Sequence, residues 1–172
     1  MSDYTHDELL VILGKHAAWL RGEAGGVQAD LAGVDFSEAY MPDADWRSAI
    51  FNGCDFTDSY MPRADFGGAL LAKCNFTTVN ARGARFESAT LQNCDLTGGN
   101  YQGADFDSAS MTDCDCTSGK FLAASFRSAD LTDCDFTSAN VKDCDMDGIN
   151  GTGITWSDTF THGLHFRDAD IS

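Results

Sequence analysis

Residues 54–73 read CDFTDSYMPRADFGGALLAK, and the next stretch, residues 74–93, reads CNFTTVNARGARFESATLQN. Both stretches divide into blocks of five, each with a small residue first and an apolar residue third. The blocks continue from Ala29 to Ser172 without a break. Helical patterns recur every ~3.6 residues and strands alternate every ~2. A period of five therefore indicates a repeat architecture in which short units stack on one another.

The blocks resemble the pentapeptide-repeat family, whose consensus is Ala-(Asp/Asn)-Leu-X-X, and the resemblance covers everything after Gln28. It implies an all-β solenoid, a right-handed quadrilateral parallel β-helix in which four pentapeptides form one square coil of 20 residues. On this reading, residues 29–172 form a β-helix of about seven coils.

Residues twenty apart resemble each other more than residues five apart, as a four-sided coil requires. The central position of one face holds Phe36, Phe56, Phe76, Leu96, Cys116, Phe136 and Trp156. The first position of the same face holds Val34, Cys54, Cys74, Cys94, Cys114, Cys134 and Ile154. Both rows predict inward side chains that stack into a continuous core. The cysteines are accordingly expected to be free and buried, which fits a reducing cytoplasm, and no disulfide, metal or cofactor is predicted.

Residues 1–28 do not follow the repeat and are predicted to form a capping α-helix and a link. Apolar residues recur with helical spacing up to Leu20, and Gly22 is expected to end the helix. Because a solenoid needs its terminal coil covered, the helix is predicted to lie over the first coil, with Trp19 and Leu20 as its plugs. His16 is expected to be a surface or packing residue. A partner-binding helix is the alternative.

The repeat reaches Ser172 in register, with no helix behind it. We expect apolar residues of the C-terminal coils to be covered by a second copy, in a two-fold, end-to-end homodimer. The predicted interface consists of Trp156, Phe160, Leu164, Phe166 and Ile171. Distorted final coils without a dimer are the alternative.

The formal net charge is −16, from 27 acidic and 11 basic residues. This charge argues against nucleic acid or an anionic membrane as the direct partner and favours a basic protein partner. No apolar stretch is long enough to cross a membrane and no signal peptide is recognisable, so a cytoplasmic protein is expected. The second position of each block is predicted to point outward, and acids recur there in two ladders on opposite faces. One ladder contains Asp35, Asp55, Asp95, Asp115 and Asp135, and the other contains Asp45, Asp65 and Asp105.

Some members of the resembled family mimic DNA and bind type II topoisomerases such as DNA gyrase in place of the duplex. The resemblance therefore implies a DNA mimic that binds DNA gyrase or topoisomerase IV, with the two ladders as the binding surface. The chain departs from those members in having neither a loop that interrupts the repeat nor a C-terminal helix, so binding to the enzyme is expected rather than protection of the enzyme from inhibitors. The alternative is a scaffolding module with no topoisomerase link, binding another protein through Tyr40 and Tyr60, which are predicted to stack outward.

Catalysis is not expected. It requires titratable groups that converge in a concave site, whereas a square rod has regular convex faces. The histidines lie near the two ends of the chain, and none has a nucleophile or carboxylate at a recognisable motif spacing. The Asp-Thr pairs recur throughout the repeat and so carry no information about a catalytic triad.

Overall fold

The computed structural model describes residues 6–170 as one helix followed by a parallel β-solenoid. Helix α1 spans His6–Leu20. The regular strands are β1 (Asp30–Ala32), β2 (Ile50–Asn52), β3 (Leu70–Ala72), β4 (Thr90–Gln92) and β5 (Ser110–Thr112). They form one sheet in chain order, so the predicted all-β solenoid with an N-terminal helix is confirmed.

The coil length is twenty residues, because every pairing joins residues that are twenty apart. The β1–β2 register pairs Leu31 with Phe51, and all four strand pairings are parallel. The other three faces are joined by single parallel bridges, and bridges continue the register as far as Asn150 and Asp170. Regular strands thus cover about four turns, from β1 to β5, which is fewer than the seven coils expected. Beyond Thr112 single bridges replace strand pairing on that face.

Corners between faces explain why the blocks end in small or polar residues. The fifth residue of a block has a positive φ, for example 62° at Gly53, 55° at Asp58 and 58° at Arg63. A positive φ is the conformation that the third residue of a type II turn requires, and Gly, Asn and Asp adopt it most readily. The period of five is therefore set by a short bridging segment followed by a tight turn.

Phenylalanine rings fill the interior in vertical stacks. Phe56 lies nearly parallel to Phe36 below it and Phe76 above it, with ring centroids 4.8 Å and 4.7 Å apart. The opposite face supplies a second stack, in which Phe66 and Phe86 are 5.0 Å apart. Since adjacent strands are about 4.7–4.9 Å apart, each ring rests on its equivalent in the next coil.

Two large aromatic residues in the middle of the rod are accommodated by small neighbours. Tyr101 and Phe121 are stacked at 5.0 Å and fully buried. A Cβ added to Gly99 would lie 2.5 Å from the Tyr101 ring, and one added to Gly119 would lie 2.4 Å from the Phe121 ring. Gly99 and Gly119 are the first residues of the blocks that contain these rings, and the absence of a side chain there makes room for them. The repeat consensus, which has alanine at this position, does not predict this fit.

The cap is held by His16 together with Leu9, Ile12 and Leu13, which pack against the core. The predicted plug Leu20 is only half-buried. His16 is completely buried, whereas Trp19 is 36% exposed. His16 Nδ1 accepts the Ala29 backbone N–H at 3.0 Å, and Nε2 lies 3.0 Å from the Arg47 carbonyl oxygen. Trp19 stacks on the outer side of the imidazole, with centroids 5.6 Å apart. A ring with two polar atoms fits here because the first coil presents a backbone donor and an acceptor that need partners.

Gly22 ends the helix region as predicted. Its N–H donates to the Trp19 carbonyl oxygen at 2.9 Å, and the Glu23 N–H donates to the Ala18 carbonyl oxygen at 2.9 Å. Gly22 has a φ of 69°. This is the Schellman arrangement, which requires a left-handed residue after the helix.

Candidate functional site

The four faces of the rod differ in charge, and one of them carries acids without any cation. On this aspartate face each coil contributes the residue before the buried central residue and the two residues after it. Its acids are Asp35, Glu38, Asp55, Asp58, Asp95, Asp115, Asp135 and Asp158. Within the described residues it contains no lysine or arginine. The first predicted ladder is therefore an unneutralised row of carboxylates.

The ladder carboxylates are held in one orientation by the turn that follows each of them. Asp55 Oδ1 accepts the Thr57 backbone N–H at 2.9 Å and the Thr57 hydroxyl at 2.6 Å. Asn75 Oδ1 makes the same two bonds to Thr77 at 2.9 Å and 2.6 Å. The backbone bond recurs at Asp35, Asp95, Asp115 and Asp135, with distances of 2.8–2.9 Å. One oxygen of each carboxylate thus organises the turn, and the recurring Ser or Thr follows from this geometry.

Hydrogen bonds at the first step of the ladder stabilise the ionised carboxylate. The Ser37 hydroxyl and backbone N–H hold the pKa of Asp35 below its usual value. Donors to a carboxylate favour its charged form. The ionised form of Asp35 is therefore favoured at the start of the ladder.

The second predicted ladder lies on the opposite face, which we call the mixed face because it alternates acids with arginines. Arg47 donates to both oxygens of Asp45, at 2.8 Å and 2.7 Å, and the pair holds the pKa of Asp45 below its usual value. Arg85 forms an ion pair with Glu87 at 2.6 Å and approaches Asp65 at 4.0 Å.

Arginines recur in the later coils of the mixed face as well. Arg127 forms an ion pair with Asp107 at 2.9 Å and approaches Asp145 at 3.9 Å. The mixed face has eight acids and four arginines over residues 29–170. The two ladders are consequently not equivalent, because arginine offsets half of the charge on this one. The signal was present in the sequence, where arginine follows the ladder position by two residues at 47, 127 and 167.

Tyr40 and Tyr60 are stacked on a third face, as expected. Their ring centroids are 5.2 Å apart with an interplanar angle of 5°, and the side chains are 71% and 42% exposed. We call this the tyrosine face. Its outward row is Tyr40, Tyr60, Asn80, Asn100, Lys120, Asn140 and Phe160. Exposed aromatic residues in register are a typical feature of protein contact sites.

Apolar side chains at the C-terminal end are less buried than their equivalents in the middle of the rod. Trp156, Leu164 and Phe166 are partly buried against the core, and Phe160 is 65% exposed. Trp156 stacks on Phe136 with centroids 5.0 Å apart. Ile171, the fifth residue of the predicted dimer interface, lies outside the described residues. Of the other four, Trp156, Leu164 and Phe166 lie against the core of the last coils, whereas Phe160 belongs to the outward row of the tyrosine face.

The cysteines are free and buried, as predicted from their rows. Burial raises the pKa of Cys144 to about 12, and its thiol donates to the Phe121 carbonyl oxygen at 2.9 Å. Among the described residues, no group of three or more His, Cys, Asp or Glu side chains is placed to hold a metal ion. The described part of the chain also holds no helix with the length and apolarity that a bilayer crossing requires.

Sequence comparison identifies the repeat directly. The family model for pentapeptide repeats matches residues 29–68 and 59–98. The family model for the pentapeptide repeat region matches residues 84–171. The chain belongs to the pentapeptide-repeat family. A search of curated protein sequences finds no match to this pentapeptide-repeat protein.

Several solved structures are similar to this pentapeptide-repeat protein at low identity. HetL, involved in heterocyst differentiation regulation in the cyanobacterium Nostoc sp. strain PCC 7120, is 15% identical, with a TM-score of 0.47 and 94% of each chain covered. Full-length QnrB1, a plasmid-mediated fluoroquinolone resistance protein, is 14% identical, with a TM-score of 0.45 and 84% of this chain and 93% of that chain covered. A pentapeptide repeat protein of the Arabidopsis thaliana thylakoid lumen is 23% identical, with a TM-score of 0.30 and coverage of 64% and 67%. HetL and the thylakoid-lumen protein are described as pentapeptide repeat proteins. The different biological settings of the three proteins assign no function to this one.

Proposed function

We propose that this pentapeptide-repeat protein is a non-enzymatic binding protein whose aspartate face occupies a basic groove that otherwise grips duplex DNA. The proposed partner is a type II topoisomerase, DNA gyrase or topoisomerase IV. The observation that carries the proposal is the row of eight acids without a cation on the aspartate face. The protein itself does not bind nucleic acid in this proposal, because its charge repels phosphate.

The spacing of these charges is close to that of one DNA strand. Residues 35–155 span six twenty-residue steps, which at ~4.8 Å per step is about 29 Å. Eight acids over that length give one charge per ~3.6 Å, and a single strand of B-DNA carries one per ~3.4 Å. A groove lined with lysine and arginine side chains that bind successive phosphates would thus meet a row of similar charge density.

The mixed face supports the same proposal in a weaker form. Its carboxylates Asp45, Asp65 and Asp105 belong to the predicted binding surface, but the adjacent arginines would repel a basic groove. Exposed ion pairs contribute only ~0–1 kcal/mol each, so the arginines are free to separate from their acids. We therefore place the principal contact on the aspartate face and a secondary one on the mixed face.

We further propose that the protein acts in the cytoplasm as an end-to-end homodimer. The free thiols support a reducing compartment, and the apolar surface that Trp156, Phe160, Leu164 and Phe166 leave incompletely buried supports the dimer. A closed two-fold contact would bury this surface without starting a fibre. Two rods joined at their ends would also lengthen the acidic surface.

A supercoiling assay with two matched variants tests the proposed partner and face. Each variant replaces four aspartates with asparagine and so removes the same charge. Asn75 shows that asparagine keeps the turn bonds of the aspartate face. The aspartate-face variant carries Asp55→Asn, Asp95→Asn, Asp115→Asn and Asp135→Asn. The mixed-face control carries Asp45→Asn, Asp65→Asn, Asp105→Asn and Asp145→Asn.

We expect the wild-type protein to inhibit DNA gyrase or topoisomerase IV in a salt-sensitive manner. Each lost ion pair between an aspartate and the basic groove should cost ~0.5 kcal/mol, and four of them amount to about 2 kcal/mol. The aspartate-face variant should therefore need ~30-fold more protein for the same inhibition. The control should need only a few-fold more. Equal effects of the two variants would mean that overall charge alone matters. No inhibition by the wild-type protein at tens of micromolar would reject these enzymes and leave the scaffolding alternative.

A further inference from the structure

The tyrosine face has the opposite charge balance from the rest of the rod. Its cations outnumber its acids over residues 39–163. The cations are Arg63, Arg82, Lys120 and Lys142, and the acids are Asp43 and Asp143. The other three faces together have twenty-one acids and five cations over residues 29–170. Because charges separated by more than ~8 Å are largely screened at physiological salt, a ligand on this face meets a local field different from that of the whole protein.

Of these cations, Arg63 already has an acidic partner, whereas Arg82 has none among residues 6–170. Arg63 donates to both oxygens of Asp43 at 2.7 Å, which holds the pKa of Asp43 below its usual value. The Arg82 side chain makes no hydrogen bond or ion pair within residues 6–170. Its guanidinium is therefore available to a ligand, and a guanidinium presents a fork of donors that matches a carboxylate.

A groove lies beside the stacked tyrosines and contains this free arginine. It has a volume of about 510 Å³, and its lining includes Tyr60, Pro62, Asn80, Arg82 and Gln102. The lining also contains Gly83 and Gly103, which have no side chain to fill the groove. The equivalent corner residues in the neighbouring coils are Arg63 and Ala123. An apolar wall, side-chain amides and two arginines, the paired Arg63 and the unpaired Arg82, are thus combined in a single concave surface.

A second groove on the other side of the tyrosine pair is apolar. It has a volume of about 230 Å³ and lies between α1 and the first coil. Its lining includes Leu10, which is 53% exposed, together with Leu13, Tyr40 and Pro42. The tyrosine face thus runs from an apolar site at the helix to a cationic site at Arg82. Tyr40 and Asn100 are three twenty-residue steps apart, or about 14 Å, a length that four or five extended residues span.

We propose that the tyrosine face docks an extended acidic segment of a partner protein. Apolar side chains of the segment would pack against Leu10, Tyr40 and Tyr60, and a carboxylate would bind Arg82. Charge complementarity selects this occupant, because the other three faces, each net negative, repel an acidic segment. The docking surface is separate from the aspartate face, so one rod is able to hold a basic groove on one side and an acidic segment on the adjacent side.

Fluorescence anisotropy with defined peptides tests this proposal without knowledge of the natural partner. The probe is a fluorescein-labelled peptide of about eight residues, composed of glutamate, leucine and phenylalanine. The comparison probes are the same peptide with lysine in place of glutamate and a labelled single-stranded oligothymidine of similar length. The protein variants are Arg82→Glu, the double variant Tyr40→Ala with Tyr60→Ala, and the control Lys73→Glu. Lys73 is exposed on the face of β1–β5, and its replacement changes the net charge by the same amount as Arg82→Glu.

The acidic peptide should bind the wild-type protein, and both Arg82→Glu and the double tyrosine variant should weaken binding at least tenfold. Lys73→Glu should change binding less than twofold. The lysine peptide should bind through the acidic faces, and its affinity should be insensitive to Arg82→Glu. The proposal is overturned if the acidic peptide does not bind or if Arg82→Glu and Lys73→Glu have equal effects. Tighter binding of oligothymidine than of the acidic peptide also overturns it, in favour of a nucleic-acid surface.

Discussion

The buried imidazole of His16 should make the stability of the capped rod depend on pH in a range where most carboxylates do not titrate. His16 Nδ1 accepts the Ala29 N–H, so this nitrogen carries no proton, and Nε2 is the nitrogen that donates to the Arg47 carbonyl oxygen. Protonation of Nδ1 would place its new N–H against the Ala29 N–H, and the hydrogen bond between them would be lost. Burial, the largest effect, lowers the pKa of His16, although the hydrogen bond to Arg47 and the charge of Asp45 partly oppose it.

The sign of the effect follows from comparing the folded and unfolded chains. An unfolded histidine has a pKa of about 6.5, and the folded value is lower, so the unfolded chain binds more protons as the pH falls. The contribution of His16 to stability is therefore complete above pH ~6.5 and is lost as the pH falls below that value towards the folded pKa. The loss is at most ~1.4 kcal/mol per pH unit, or about 2 kcal/mol between pH 6.5 and pH 5.

His16→Phe isolates this contribution, because it keeps a ring against Trp19 and Trp46 but removes both hydrogen bonds. A buried donor left without a partner costs ~1–3 kcal/mol, so the variant should be less stable than the wild-type protein by about that amount at pH 8. Urea denaturation at several pH values between 8 and 5 measures both quantities. The gap between the two proteins should narrow as the pH falls. A constant gap, or an NMR titration that places the pKa of His16 at or above 6.5, would refute this account of the cap.

Three further predictions concern the core. Gly99→Ala should destabilise the protein by ~1–3 kcal/mol through overpacking against the Tyr101 ring, and adding Tyr101→Met should restore much of that loss in thermal unfolding. Tyr101→Phe should stabilise the protein by ~1–3 kcal/mol, because the Tyr101 hydroxyl is buried without a hydrogen-bond partner, and a lower denaturation midpoint for this variant would contradict that reasoning. Cys144, with a pKa of about 12, should resist iodoacetamide at pH 8 until the protein is unfolded, so rapid modification of the native protein would be the opposite result.

The period of five predicted a stack of short units, the resemblance to the pentapeptide-repeat family implied the β-solenoid, and the twenty-residue spacing predicted its buried rows. Phe36, Phe56 and Phe76 are twenty residues apart in the chain, and their rings stack. Such rows are predictable because each coil contacts only its neighbours, so a sequence period translates directly into a spatial one. The stacked pair Tyr40 and Tyr60 was predictable for the same reason.

Features that depend on particular side-chain contacts were not predictable in this way. His16 has no equivalent in the repeat, and only the structure shows that it satisfies Ala29 and Arg47 in the first coil. The fit between Tyr101 and Gly99 is an exception to the consensus that becomes intelligible only once the ring position is known. The two acidic ladders were treated as equivalent, although Arg85 stands at a ladder position of the mixed face and further arginines follow two residues after others. Only the structure shows which acids these arginines pair with.

Competition with DNA for a topoisomerase is the most direct test of the proposed duplex substitute. A fluorescent duplex bound to purified DNA gyrase or topoisomerase IV would be titrated with the wild-type protein and with the aspartate-face and mixed-face variants. The account predicts complete displacement by the wild-type protein, with an apparent affinity that falls in proportion to the duplex concentration. It also predicts that the aspartate-face variant displaces the duplex much less well than the mixed-face control. A complex that contains enzyme, duplex and protein together, or no displacement at all, would contradict the claim.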